Sequence, residues 1–394
     1  MNPPYKILNK ATVKSTFVRS SWTSTAVGTL SAVFALFTWV GMCTAQSNEA
    51  AQVTAQPIAV AKSSITADLD AVNTQTFDWQ DAERNRAVPV RLYLPDAKAN
   101  GAKPVPLIVF SHGLGGSRNG YQYLGRYWAS HGFASLHVQH IGSDNSLWRG
   151  NPFGLTFRLT EAAKDSEAMA RAKDVSFALT ELLALPSLAG RVDANRIVAA
   201  GHSYGANTTM LLAGAAVPHK GEKGNEILNL RDPRIKAAML LSAPPFYGYG
   251  NPAAILGAIA LPTLHITATG DEIMVPGYGS GFEDRVNVFN AMGDVRKTLV
   301  VFTGGSHSIF TDRTTSGGAE LNPKVKAATQ ELSLAFLKQI FNGDGAALSA
   351  WQPKFADLLE LSMRACYLST LPTLGWHLSQ ASERLVVRPQ RQCL

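Results

Sequence analysis

Cysteine is scarce in this chain, with 3 in 394 residues: Cys43, Cys366 and Cys393. Removal of an N-terminal leader leaves only the last two. In an oxidising compartment they either pair, closing a loop worth roughly 3–4 kcal/mol of unfolded-state entropy, or remain free thiols on a loose tail. Long hydrophobic runs are missing as well. The apolar stretch Ala26 to Val40 covers 15 residues, short of the ~20 needed to span a bilayer. There is no phosphate-binding loop, no dinucleotide fingerprint and no internal repeat, so the residues call for no cofactor. His137 and His140 are spaced H-x-x-H but lack a third ligand pattern, so a metal site is not expected. One-sided charge is confined to the ends. The formal charge is +7, but Lys6, Lys10, Lys14 and Arg19 carry four of those charges, and the tail from Arg364 carries a net three. The chain between is balanced, which gives no basic face for nucleic acid.

What is present begins with the leader. Four basic residues without an acidic one, then the apolar run, then small residues to Ala45-Gln46, follow the order of a secretory signal peptide. A retained signal anchor is the alternative. The expected organisation is a signal peptide over 1–45, a linker or disordered lead-in over 46–74, a catalytic domain over 75–345 and a C-terminal extension of uncertain structure over 346–394. Secretion or a periplasmic location follows, with no stable membrane span once the signal is cleaved.

The centre of the chain is Ile197 to Gly214: an apolar strand, the turn Gly201-His202-Ser203-Tyr204-Gly205, then a helix of small residues. This G-x-S-x-G elbow exposes a serine hydroxyl at a helix N-terminus, and no other serine has glycine at both minus two and plus two. A second glycine loop, Ser111-His112-Gly113-Leu114-Gly115-Gly116-Ser117, follows the apolar run Leu107 to Phe110. Strands are expected at Thr76–Gln80 and Val88–Leu94 (an edge hairpin), Ala134–Gln139, Ile235–Leu241, Leu264–Thr267 and, last, Thr298–Phe302. Helices are expected at Tyr121–His131, Ser166–Leu185 and Pro323–Phe341. This alternation predicts an α/β fold with a mainly parallel sheet covered on both faces and function at the strands' carboxyl ends.

A serine needs a base, and the base needs an orienting acid. Asp271 ends the strand after Leu264, with Glu272 as its adjacent rival. His307 follows the last strand, and only His377 also lies beyond Asp271. Ser203, Asp271, His307 is the α/β-hydrolase order. The backbone N–H groups of Leu114 and Tyr204 are the expected oxyanion donors. His112 and His202 are expected to brace loops. Two irregular inserts, Ile141 to Leu159 with Trp148 and Phe153, and Pro244 to Leu256 with Phe246, Tyr247 and Tyr249, are expected to shape the substrate site.

Phe110 to Asp144, with Ser111-His112-Gly113-Leu114-Gly115-Gly116 and Ala129-Ser130-His131-Gly132-Phe133, together with the Gly201–Gly205 elbow, resembles the platelet-activating-factor acetylhydrolase and dienelactone-hydrolase-like group of α/β-hydrolases. The resemblance covers roughly 75–345. It implies an α/β-hydrolase fold, mainly parallel with helices on both faces, and a metal-free serine esterase for short acyl esters, on small-molecule or polymeric substrates. In the animal acetylhydrolases the acid follows the strand after the elbow, where this chain has Ser242 and Ala243. Asp271 instead matches the dienelactone-hydrolase and bacterial polyesterase placement, with Ser203 where dienelactone hydrolase has cysteine. A peptidase or amidase with the same triad, and a catalytically silent binding protein, are the competing readings.

Overall fold

Alternation of polar and apolar side chains starts the sheet. The computed structural model describes residues 72–96, 103–221, 224–275, 278–294 and 296–364, all within one compact unit, Ser64–Leu394. The expected signal peptide, nearly all of the expected lead-in, and Cys43, Cys366, His377 and Cys393 lie outside these residues. Strands β1 (Asn73–Asp81) and β2 (Arg86–Leu94) form the expected antiparallel edge hairpin, turning at Asn85 with a φ of 47°. Strand β3 (Val105–Ser111) is buried along its whole length, as a continuous apolar run on a doubly covered strand requires. Helix α1 (Gln122–Ser130) and strand β4 (Ala134–Val138) follow as expected, then helices α2 (Leu155–Ala162) and α3 (Asp165–Ala184).

The elbow segment forms strand β5 (Val192–His202) and helix α4 (Tyr204–Ala213). A small hairpin, β6 (Val217–Gly221) with β7 (Gly224–Leu228), leads to β8 (Ile235–Leu241), α5 (Pro252–Leu256) and β9 (Thr263–Gly270). A second hairpin, β10 (Ile273–Val275) with β11 (Tyr278–Ser280), precedes α6 (Phe282–Ala291) and β12 (Lys297–Ser306). Helices α7 (Gly318–Asn342) and α8 (Ala346–Lys354) and strand β13 (Leu359–Arg364) end the described chain.

Among the described residues nine strands make one sheet, in the order β1-β2-β4-β3-β5-β8-β9-β12-β13. The six from β4 to β12 run parallel, β2 and β13 flank them running the other way, and β1 pairs antiparallel with β2 at the edge. Because successive strand side chains point to opposite faces, the sheet feeds two cores. Leu107, Val109, Ile197 and Ala199 pack with α3, α4 and α5 on one face. Ile108, Phe110, Val198 and Ala200 pack with α1, α7 and α8 on the other.

Two expectations are corrected. Thr298–Phe302 is not the last strand: β13 pairs antiparallel with β12, from Thr298↔Arg364 to Phe302↔Leu359. Of the residues placed in the extension by sequence, Leu359–Arg364 therefore form a strand of the sheet, and α8 packs into the core beside it. Trp351 of α8 is the reason: it is buried, donates its indole N–H to the Ala328 carbonyl at 2.8 Å, and meets Phe302 edge-on. The closing helix also starts at Gly318, so that Pro323 lies inside it, past the first turn, where the ring leaves the carbonyl four residues back without its helical N–H donor.

Candidate active site

Ser203 stands between β5 and α4 with a φ of 56°, a left-handed value that a non-glycine residue takes only under constraint. The constraint is close packing. A Cβ on Gly201 would overlap the Gly205 carbonyl, and one on Gly205 would overlap the carbonyl of Ser111. The Ser203 N–H donates to the Leu241 carbonyl at 2.9 Å, tying the turn to the end of β8.

The structure brings the three residues singled out in the sequence together. His307 opens the turn after β12, seated on buried Ile309 and Phe310. Its Nδ1 lies 2.6 Å from Asp271 Oδ1 and its Nε2 lies 2.7 Å from Ser203 Oγ. A carboxylate only accepts, so Nδ1 carries the proton and Nε2 is left to accept from the serine hydroxyl. Asp271 is fully buried after β9, while its rival Glu272 is exposed. The second Asp271 oxygen accepts from Thr267 Oγ1 at 2.7 Å, and Arg285 Nη2 lies 3.5 Å from Oδ1. Burial raises the Asp271 pKa, but the hydrogen bond and charge of His307 and the charge of Arg285 outweigh it and hold the carboxyl well below its usual range. Ser242, the strand-end residue after β8, supplies no carboxylate.

His112 and His202 brace loops, as expected. The His307 carbonyl only accepts, so His202 donates to it from Nε2, at 2.9 Å. Its Nδ1 then accepts from the Tyr121 hydroxyl at 2.8 Å, and the Tyr121 oxygen accepts from the Gly113 N–H at 3.4 Å. Burial, and the neighbouring His307, push the His202 pKa down to about 3, so this link is neutral. His112 accepts the His140 N–H at Nε2, 3.1 Å, which makes Nδ1 the donor to the Gly113 carbonyl. The H-x-x-H pair is divided between partners: His137 meets Ser135 and the Gly120 carbonyl, and His140 meets Asp174 and Ser111.

A cavity of about 260 Å³ opens beside Ser203. Leu114 and Tyr204, the expected oxyanion residues, both line it, from β3's loop and from the elbow. Phe246, Tyr247 and Tyr249 line it too, but Trp148 and Phe153 do not. Trp148 lies over Gly115 and donates its indole N–H to that residue's carbonyl at 2.9 Å, bracing the glycine loop from outside. Phe153 is 94% exposed. The wall expected from these two aromatics comes instead from Leu155, Thr156, Leu159 and Thr160 of α2. In the sequence that helix falls within an irregular insert because eight residues are too few for a clear period, and its start is marked only by Asn151-Pro152, where Asn151 caps the preceding turn. Thr267, Arg285 and Tyr121 were also missed. Each lies far from its partner in sequence or on a strand interior, where no spacing rule applies.

Sheet order, elbow and the Ser203–His307–Asp271 set together define a protein of the α/β-hydrolase fold. Comparison with known proteins agrees in part of the chain. The family model of platelet-activating factor acetylhydrolase, isoform II, matches residues 82–149, a segment that carries the His112–Gly116 loop and ends before Ser203. This match bears out the resemblance to acetylhydrolases there and supports a hydrolase of esterase type. A search of curated proteins found no match. Among solved structures, a ferulic acid esterase from Streptomyces cinnamoneus is similar at 22% identity over 69% of this chain and 90% of that chain, with a TM-score of 0.48.

Proposed function

We propose that this protein is a secreted or periplasmic serine carboxylic-ester hydrolase that cleaves short-chain acyl esters through an acyl-enzyme. The observation that carries the reading is the unbroken hydrogen-bond chain from Asp271 through His307 to Ser203, ending at a largely apolar cavity. Ser203 Oγ attacks the ester carbonyl carbon as its proton passes to His307 Nε2, and the carbonyl electron pair moves to oxygen. The backbone N–H groups of Leu114 and Tyr204 receive that oxyanion. On collapse the bond to the alcohol oxygen breaks, and His307 gives its proton to the leaving alkoxide. Water then attacks the acyl-enzyme, again losing a proton to His307, and the acid departs as Ser203 recovers its hydrogen. Asp271 keeps the imidazole in the required tautomer throughout. No group in this sequence of steps is a metal or cofactor.

Phe246 and Tyr247 with Leu155 and Leu159 favour an uncharged acyl group. Among the described residues lining the cavity, Asp165, exposed where α3 begins, is the one that carries a charge. The cavity volume lies near the lower end for small-molecule sites, in keeping with a short acyl chain.

The test is hydrolysis of p-nitrophenyl esters from acetyl to dodecanoyl by residues 46–394, alongside Ser203→Ala and with excess chelator. We expect highest kcat/KM at the short chains, no effect of chelator, and a loss of about 10⁴-fold or more in the variant. Activity retained by Ser203→Ala removes Ser203 as the nucleophile. Absence of activity in folded wild type favours the peptidase and the silent binding fold. N-terminal sequencing of the exported protein tests the signal peptide, with a new terminus near Gln46 expected.

A further inference from the structure

An oxyanion site made of two N–H groups works only if both reach one oxygen. Here the groups belong to separate segments: Leu114 to the loop after β3, Tyr204 to the turn after β5. Nothing in the local chain sets the distance between them. Besides Tyr121, which links Gly113 to His202, Arg171 touches both segments. Arg171 of α3 is fully buried, and its three nitrogens go three ways. Nη2 donates to the His112 carbonyl in the glycine loop. Nε donates at 2.9 Å to Thr208 Oγ1, which in turn donates to the Tyr204 carbonyl at 3.1 Å. Nη1 donates at 2.8 Å to Ser143 Oγ, and the Ser143 carbonyl accepts the Gly115 N–H at 2.9 Å. The guanidinium carbon also lies 4.4 Å from the centroid of the Tyr204 ring.

We propose that Arg171 is the positioning residue of the oxyanion site, holding the His112–Gly116 loop and the Tyr204 turn at the separation at which both N–H groups meet the same oxygen. The proposal rests on the ester-hydrolase reading above. Its geometry is specific to a planar fork: three acceptors in different directions and a ring face are met by one rigid group, which the single ammonium of lysine cannot do. The fork is itself held. Ser143 Oγ accepts from Arg171 and donates to Glu167 Oε1 at 2.8 Å, and Glu167 also takes a hydrogen bond from Arg86 at 3.0 Å. Arg171 touches no reacting atom; it acts through the loops it joins.

The experiment compares wild-type full chain with Arg171→Met, Arg171→Lys and Thr208→Val. Active sites are counted by a fluorophosphonate that modifies Ser203, so that kcat is expressed per competent site. KM for p-nitrophenyl acetate and the inhibition constant of an aryl trifluoromethyl ketone, whose serine adduct bears an oxyanion, are measured beside it. With the donors displaced, kcat per site falls about 10²-fold in Arg171→Met, as a misplacement near 1 Å costs. KM stays close to wild type, and the ketone's inhibition constant rises in proportion to the loss of kcat/KM. Arg171→Lys falls nearly as far, and Thr208→Val lies between. A role in stability alone gives fewer titratable sites with wild-type kcat per site and unchanged ketone binding, and that result overturns the proposal, as does full activity in Arg171→Lys. If the Arg171 variants do not fold, Thr208→Val decides by the same readouts. A wild type that hydrolyses the ester without modification at Ser203 overturns the underlying reading instead, and this proposal with it.

Discussion

Asp271 and Glu272 are adjacent carboxylates with opposite fates. One is enclosed by Thr267, His307 and Arg285, and the other faces solvent. Asp271→Asn keeps the shape but replaces an acceptor with a group that can donate, so His307 loses the tautomer it needs. We expect kcat per titrated site to fall about 10⁴-fold. Glu272→Gln, on the exposed side, is expected to leave kcat/KM within about two-fold, the usual limit of a surface change. If steady-state kinetics reverse this order, Glu272 is the acid. Position after a strand is legible in the sequence and narrows the acid to this pair. Which carboxylate turns inward depends on the register of β9 against β12, set by tertiary packing.

At the scale of elements, α2 forms one wall of the cavity and α3 ties the edge hairpin to the sheet. Leu159 of α2 lines the cavity, so Leu159→Trp reduces its length, and the p-nitrophenyl series is expected to shift toward acetyl with little change on the shortest ester. An unchanged chain-length profile would remove α2 from the acyl site. On α3, Glu167, Arg171 and Asp174 fall on one helical face, and all are buried. By composition alone such a stripe reads as solvated. It is buried because Arg84 and Arg86 from the β1–β2 hairpin reach Asp174 at 2.8 and 2.9 Å, and His140 reaches it at 3.1 Å. Asp174→Ala leaves two arginines facing an empty site. The expected cost is about 3–5 kcal/mol, read from urea unfolding; a loss below about 1 kcal/mol would mean water replaces the carboxylate readily.

For the whole molecule, the five histidines buried among the described residues dominate the response to acid. Burial pushes His137, His202 and His265 down to about 3 and holds His112 and His140 well below the ordinary imidazole value. In the unfolded chain each titrates near 6.5. Above that pH both states are neutral at these positions and stability is fully present. Below it the unfolded state binds more protons, so stability falls as pH falls, by up to about 7 kcal/mol per pH unit when all five contribute. Against the usual total of about 5–15 kcal/mol, cooperative unfolding is expected within roughly one to two units below 6.5. Circular dichroism against pH checks this, and a fold that persists unchanged to pH 4 contradicts it. Among the described residues no helix is long and apolar enough to cross a membrane.

The sequence by itself determined the α/β architecture, the elbow at Ser203, the chain order of Asp271 and His307, and both glycine loops. These rest on local rules: period two in strands, glycine where backbones touch, a small-residue helix after a turn. It did not determine that Trp148 braces the Gly115 loop while α2 walls the cavity, that Leu359–Arg364 closes the sheet edge, or that Arg171 joins the glycine loop after β3 to the Tyr204 turn. Those outcomes depend on which groups meet across long stretches of chain. Only tertiary packing decides them, because burial and hydrogen-bond satisfaction are properties of the assembled neighbourhood rather than of any one segment.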